Sequence, residues 1–398
     1  MKKVVVVSAL RSPIGSFGGA FKKVSAVGLG TDVVKKSLEE TGIEPQQVDE
    51  VIIGNVLGAG LGQNISRQIS IKSGIPTSVP AYTVNKVCGS GMKSVTLAST
   101  MISAGEADII IAGGTENMSQ APYAIPKARW GARMGDKKMV DLMIHDGLWE
   151  IFNNYHMGVT AENLADKFDI KREEMDRFAA QSQNRVEKAM KEGKFEDEIV
   201  PIHVPRRKKE PIVVQTDEFP RKGVTADSLQ KLRPAFKKDG RVTAANSSGI
   251  NDGSAILILM SEDKAKEMKI KPLAEIVSYA SAGVNPEIMG YGPVPSIKKA
   301  LKKANWNWED LELIELNEAF AAQSLAVFEG LKEEGIGEAD PEIINVNGGA
   351  ISLGHPIGAS GARIMVTLLH EMKRRNNEKG LASLCIGGGM GITTILKR

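Results

Sequence analysis

The feature that most constrains the fold is a pattern the chain contains twice. Near the start, "KVVVVSA", "AVGLGTDVVKKSLEETG", "EVIIGNV", "AYTVN", a helix after Cys88 and "ADIIIAGG" follow one another. Near the end the order returns as "AEIVSYA", "VPSIKKALKKAN", "LELIELN", "EIINVNGG", a helix from about Ala359 to Arg375 and "ASLCIGGG". The register is kept as well: Asn55 and Asn317 close equivalent strands and Asn85 and Asn347 the next pair, each pair 262 residues apart. Short β-branched runs alternating with helices predict βαβ units and a mostly parallel sheet. Their recurrence at fixed spacing predicts two copies of one α/β unit packed on each other.

A chain of 398 residues exceeds what one core fills, which agrees with a doubled unit. The first half is expected over residues 1–118 and the second over 271–398. Residues 119–246 differ in character, with basic stretches such as "IPKARWGARMGDKK" and "VPRRKKEP" and the amphipathic "KREEMDRFAAQSQNRVEKAMKEG". They read as an inserted loop and helix domain, the charge alternation of 171–193 being a solvated face. Residues 247–270, containing "GSAILILMSE", return to the first half in a buried strand.

Charge excludes several classes of function. The formal net charge is +3 with 25% charged residues, which gives no reason to expect nucleic acid or a membrane as partner. No run approaches the roughly 18 apolar residues of a membrane span. The apolar run in "MKKVVVVSALRSPIG" is too short for a signal peptide and reads as a strand. Cys88 and Cys385 are the only cysteines, so no disulfide framework is expected and a reducing cytoplasm is the default compartment.

Four segments carry chemistry. In "VNKVCGSGMKSV", Cys88 follows a strand and opens a helix, where free N–H groups and the helix dipole favour a thiolate. A nucleophile and a small buried core residue are both open readings, and the glycines flanking Ser90 favour the first by letting a substrate approach the backbone. In "NVNGGAISLGHPIGASGARI", His355 lies in a loop fixed by Gly354 and Pro356 before a core helix, as a positioned base would. "CIGGGMG" lacks the Lys-Ser/Thr of a phosphate loop and fits a run of N–H groups facing a carbonyl. Asn317 of "NEAFA" alone could be a helix cap.

Taken together, "VNKVCGSGMKS", "NEAFA", "GGAISLGHPIGASGAR" and "CIGGGMG", in this order along nearly the whole chain, closely resemble the thiolase family. The resemblance implies an α/β thiolase fold: two similar halves in a five-layer αβαβα arrangement with an inserted loop domain. It implies reversible Claisen condensation of two acetyl-CoA to acetoacetyl-CoA plus CoA through a cysteine acyl-enzyme. By the family pattern Cys88 is the acylated nucleophile, His355 the base that activates it, and Cys385 the acid/base at the substrate α-carbon. Asn317 holds a water that forms one oxyanion hole with His355, and the N–H groups of Cys88 and Gly387 form the other. A thiolate splits one hard acyl transfer into two easier steps, and the carbon nucleophile needs a base poised near neutral pH. No metal or organic cofactor is required beyond coenzyme A within the substrate, and no zinc-ligand spacing is present.

"NYHMG" and "NPEIMGYGPVPS" resemble the short-chain members of the family. The resemblance implies a small acyl pocket lined by Leu148, His156, Met157, Met289, Ala319 and Phe320. "RKGVTADSLQKLRPAF" and "TAANSSGIND" match its CoA-binding segments, pointing to Arg221, Ser228 and Ser248. The loop "PYAIPKARWGARMGDKKMVDLM" resembles its tetramerisation loop and implies a homotetramer built as two dimers. A degradative 3-ketoacyl-CoA thiolase of broader chain length would share the catalytic residues. A non-catalytic acyl-CoA-binding protein would not require both cysteines and His355 together.

Overall fold

The computed structural model describes all residues, 1–398. Nine strands line up in one sheet: β1 (Val4–Arg11), β2 (Glu50–Gly54), β3 (Ala81–Val84), β4 (Ile109–Asn117), β5 (Asn251–Ser261), β6 (Ala274–Gly283), β7 (Leu313–Leu316), β8 (Lys379–Ile386) and β9 (Met390–Lys397). Their spatial order is β7-β8-β9-β6-β1-β5-β4-β2-β3, with the short Gly15–Ser16 strand beside β5 as the tenth member. This order is nearly palindromic about the contact between β6 and β1. β1, β5, β4 and β2 on one side correspond to β6, β9, β8 and β7 on the other, as the repeat requires.

The main helices are α1 (Ala26–Thr41), α2 (Ile65–Lys72), α3 (Ser90–Ala104), α4 (Met157–Lys167), α5 (Arg172–Lys191), α6 (Pro293–Ala304), α7 (Ala321–Glu333) and α8 (Ile357–Arg375). Local chemistry sets their ends. Ser25 accepts the Gly28 N–H ahead of α1, and Gly42 closes that helix at φ +65°. Pro293 opens α6, and α6 and α8 end on Asn305 and Asn376 in the left-handed region.

Burial produces the layering. Along β1, Val5 and Val7 pack outward with α1 and α2, while Val4, Val6 and Ala9 pack inward with α3 and α8. The inward side continues through α3 and α8 to Ala382, Leu384 and Ile392 of the second half, whose far side is covered by α6 and α7. The result is helix, sheet, helix, sheet, helix. α3 and α8 meet backbone to backbone: a Cβ on Gly361 would lie 2.6 Å from the Met92 nitrogen, and one on Gly91 3.0 Å from the Ala362 nitrogen. Strands buried on both faces are continuously apolar, which is why "VVVV" and "AILILM" show no alternation.

The structure corrects two expectations about strands. The sheet is mixed, because β5 returns from the far side of the inserted region and slots between β1 and β4 antiparallel to both. Parallel pairing is confined to β2 with β3 and β4, and β7 with β8. Nor does "EIINVNGG" form a strand closed by Asn347; only the single bridge Ile314–Ile344 remains. Asn345, at φ +46°, explains it: its side-chain oxygen accepts the Leu316 N–H at 2.8 Å and its amide donates to the Leu316 carbonyl at 2.7 Å. One side chain thus takes the edge groups that a strand would have paired.

Between the halves' strands, residues 119–246 carry α4, α5, the hairpin Ile202–Arg206/Lys209–Val214 and a loop at 121–142. In that loop Tyr123–Ala124 pairs with Val140–Asp141, and its tip exposes Trp130 and Met134 almost fully. No helix is long and apolar enough to cross a membrane.

Candidate active site

Cys88 sits in the tight turn between β3 and α3. Val87 holds φ +46°, a costly conformation for a β-branched residue. The turn is tied by Ser90, whose hydroxyl donates to the Val87 carbonyl at 2.6 Å and accepts the Lys86 N–H at 2.8 Å. Gly89 lies against Ile386, where a Cβ would come within 2.4 Å of its side chain, so the turn is pressed onto the end of β8. The backbone N–H groups of Cys88 itself and of Gly387 face the Cys88 sulfur and favour its charged form.

Burial decides the charge of that sulfur. It pushes the Cys88 thiol up to about 11, and the two N–H donors only partly oppose this. The helix start therefore does not make a resting thiolate here, contrary to the sequence expectation, because burial outweighs it. Cys385, two residues beyond the last strand position shared with β7, is buried beside Cys88 and is raised further by burial and by the neighbouring sulfur.

His355 follows a helical turn (Ala350–Leu353) and precedes α8. Its backbone N–H donates to Asn251 Oδ1 at 2.9 Å and its Nδ1 lies 2.6 Å from Ser360 Oγ. Nε2 is buried and has no partner. Burial, and secondarily the charge of Arg363, lowers its pKa to about 4, so the ring is neutral at physiological pH. Asn317 comes directly after β7, and its backbone N–H donates to the Ser383 carbonyl at 3.0 Å, two residues from Cys385. Both polar atoms of its side chain are buried without a partner. Unpaired buried polar atoms are rare and costly, and here two such groups belong to residues singled out from sequence.

Access is through a cavity of about 670 Å³ reaching His355, with Leu148, His156, Ser248, Arg221 and Phe320 in its walls. His156 accepts the Gly158 N–H on Nδ1, so its Nε2 carries the proton. Its ring stacks on Phe236 at 4.6 Å, and Phe236 meets Phe320 edge-on at 6.1 Å. Met157, Met289, Ala319, Phe320 and Cys385 share one buried cluster. A Cβ on Gly387 would strike the Met157 methyl at 2.3 Å, which places that methionine against the Gly387 turn. Ala319 accepts the Ser248 N–H at 2.9 Å, joining two of the expected binding segments. Ser228 is apart from the large cavity. It is exposed, its hydroxyl donates to the Thr225 carbonyl at 2.6 Å, and it lines a neighbouring cavity of about 240 Å³ that shares Arg221.

Three residues of the site had no assignment from sequence. Ser360 lies within a quoted motif but its role needs the first turn of α8 to be folded. Phe236 ends "QKLRPAF" and its contact with His156 spans the inserted region. Glu116, wholly buried at the end of β4, gave no periodic signal.

Two repeated α/β halves, with two neighbouring buried thiols and an imidazole that reaches the wall of one cavity, define a class of doubled α/β proteins. The comparisons name the family. The model "Thiolase, N-terminal domain" matches residues 4–263 and "Thiolase, C-terminal domain" residues 270–398, and the chain belongs to the thiolase family. It is 57% identical to an acetyl-CoA acetyltransferase of Cupriavidus necator over 398 residues, all of both chains. It is 55% identical, again over the full length of both, to a probable acetyl-CoA acyltransferase of Staphylococcus aureus. Among solved structures it resembles the Bacillus anthracis acetyl-CoA acetyltransferase (47% identity, TM-score 0.96, covering 100% and 99% of the two chains). It also resembles human mitochondrial 3-ketoacyl-CoA thiolase (44%, TM-score 0.95, covering 100% and 98%).

Proposed function

We propose that this protein is an acetyl-CoA C-acetyltransferase that joins two acetyl-CoA into acetoacetyl-CoA and CoA, reversibly, through an acyl group on Cys88. The observation that carries the reading is the pair of N–H groups, from Cys88 and Gly387, converging on a buried sulfur that has a second thiol beside it. The full-length relatives named acetyl-CoA acetyltransferase support it.

In the first half-reaction the Cys88 proton passes to the free Nε2 of His355 as sulfur attacks the thioester carbon. The neutral resting pair suits this, since a thiol next to an unprotonated imidazole creates charge only when the substrate is in place. The carbonyl oxygen turns to the two N–H groups as it gains charge. CoA leaves with the Cys385 proton. In the second half-reaction the Cys385 thiolate takes a proton from the methyl of a second acetyl-CoA, whose enolate oxygen faces His355 and a water on Asn317. The new carbon–carbon bond forms as Cys88 sulfur departs and recovers its proton from His355. No cofactor takes part beyond coenzyme A in the substrate.

His156, Met157, Met289 and Phe320 close the acyl end of the pocket, with Leu148 and Ala319 beside them, which favours a short chain. Arg221, Ser228 and Ser248 line the approach for CoA, the exposed Arg221 being suited to phosphate. The comparison of thiolysis rates on acetoacetyl-CoA and on longer 3-ketoacyl-CoA substrates tests the assignment. A sharp fall with chain length is expected, and equal rates would reassign the protein to the degradative, broad-range activity. We place it in the cytoplasm as a homotetramer, supported by the exposed Trp130 and Met134 on the 121–142 loop, apolar anchors amid basic residues.

A further inference from the structure

The register of the two halves pairs residues that sequence comparison does not. Gly54 of β2 faces Gly114 of β4, and its repeat counterpart Leu316 faces Ser383 of β8. Two residues further along each strand stand Glu116 and Cys385. Glu116 therefore occupies in the first half the place that the second thiol occupies in the other.

Its surroundings differ accordingly. In the second half Asn317, the residue after β7, has an unpaired amide. In the first half its counterpart Asn55 donates to Glu116 Oε1 at 2.9 Å. The same carboxylate accepts the Leu57 N–H at 3.1 Å on Oε1, and those of Val56 and Gly358 at 3.0 Å each on Oε2. Four donors, none of them cationic, enclose a carboxyl group with no exposed surface. Gly358 is the decisive partner, because it lies three residues after His355 in the first turn of α8. A Cβ on it would meet Glu116 Oε2 at 2.5 Å and Asn55 Cα at 3.0 Å. The His355 turn is thus held at one end by Asn251 and at the other by Glu116, both from the first half.

We propose that Glu116 is a positioning residue of the acyl-transfer site, which fixes the His355 turn through Gly358. The inference rests on the function proposed above. The groups that bear on the Cys88 sulfur are Glu116 from β4 and Cys385 from β8. His355 stands before α8, with Arg363 of α8 acting on it. Lys86, in the same turn, is occupied with Ser281 Oγ at 2.8 Å. Glu116 is the only one of these that raises the thiol's pKa by its charge, and burial brings its own pKa up to about 7.

Two variants separate charge from reach. Glu116→Gln keeps the size but offers an amide N–H₂ to backbone donors and removes the charge. Glu116→Asp keeps the charge but withdraws it from Gly358. Both are expected to lower kcat by about 100-fold with KM within about threefold, as small displacements of a catalytic group do. Alkylation of Cys88 by iodoacetamide, followed by peptide mass, should remain complete in both variants, which reports an intact thiol turn beside a displaced His355. Either variant with kcat within twofold of wild type, or a loss of Cys88 alkylation together with kcat, overturns the proposal. If Glu116→Gln does not fold, an unchanged kcat in Glu116→Asp overturns it alone. Wild-type enzyme that alkylates normally yet shows no thiolysis would instead overturn the function.

Discussion

His355 Nδ1 lies 2.6 Å from Ser360 Oγ, and Ser360 Oγ is itself 3.0 Å from the Pro356 carbonyl. A carbonyl can only accept, so the serine proton goes to Pro356 and the serine oxygen must accept from Nδ1–H. That leaves the lone pair on Nε2, the nitrogen without a partner. One hydroxyl thereby selects the tautomer that can serve as a base.

Ser360→Ala frees the ring to rotate and to exchange its proton between nitrogens. The turnover number should fall by about 10- to 100-fold, with a stability loss of about 1–3 kcal/mol for the stranded Nδ1–H. Steady-state kinetics alongside denaturation measures both. Full activity would mean that Ser360 is not what orients His355.

Asn317→Ala should behave in the opposite way on stability. Its amide makes no hydrogen bond within the protein, so removal strands nothing and relieves a buried polar group. Thermal midpoint is expected at or above wild type, while activity drops on the order of 100- to 1,000-fold through loss of the oxyanion water. A large destabilisation with modest loss of rate would identify Asn317 as structural.

The two sulfurs should be separable by trapping the acyl-enzyme. Cys88→Ser incubated with acetyl-CoA should carry no acetyl group on peptide 84–95, whereas Cys385→Ser should acetylate on Cys88 and then stall before condensation. Mass spectrometry of the digested protein distinguishes them, and equal acylation defects would contradict the division of roles.

The depressed pKa of His355 makes a prediction for acid stability. The unfolded ring takes its proton near pH 6.5 and the folded one only near 4, because burial disfavours the imidazolium. Stability from the neutral ring is therefore whole above about pH 6.5 and is lost as pH falls toward 4. At pH 5 the loss is on the order of 2 kcal/mol. His355→Asn lacks this term, so its stability relative to wild type should improve between pH 7 and pH 5. Glu116 and Glu315, raised to about 7 and about 8, act in the reverse direction but are present in both proteins and cancel. Urea midpoints at the two pH values give the comparison, and a constant difference would refute the shift.

What was legible in the sequence was whatever is local or repeats. Helix ends at Gly42, Asn305 and Asn376, the matched places of Asn55 and Asn317 after β2 and β7, and the motifs around Cys88, His355 and Cys385 are all patterns within a few residues or at a fixed offset. What was not legible depends on contacts across the chain. β5 separates β1 from β4 after more than a hundred intervening residues, so no strand period announces an antiparallel neighbour. "EIIN" is as apolar as a true strand, and only the folded Asn345 reveals that its edge is taken. The thiol illustrates the same limit in energetic terms: a helix start is visible in "CGSGMK", but the burial that outweighs it is completed by residues such as Ile357 and Ile386, some 270 to 300 positions away.

The pairing of β1 with β6, Val5 opposite Glu275 and Val6 opposite Ala274, has a mechanical meaning. Domains that clamp their ligands swing about a slender hinge, and here none is available. Parting the halves would tear a sheet ladder and, with it, the glycine-to-backbone contact of α3 with α8. The two halves are therefore braced against parting, and adjustment to the acyl chain falls to the inserted region, which supplies Leu148, His156, Arg221 and Phe236 of the cavity wall.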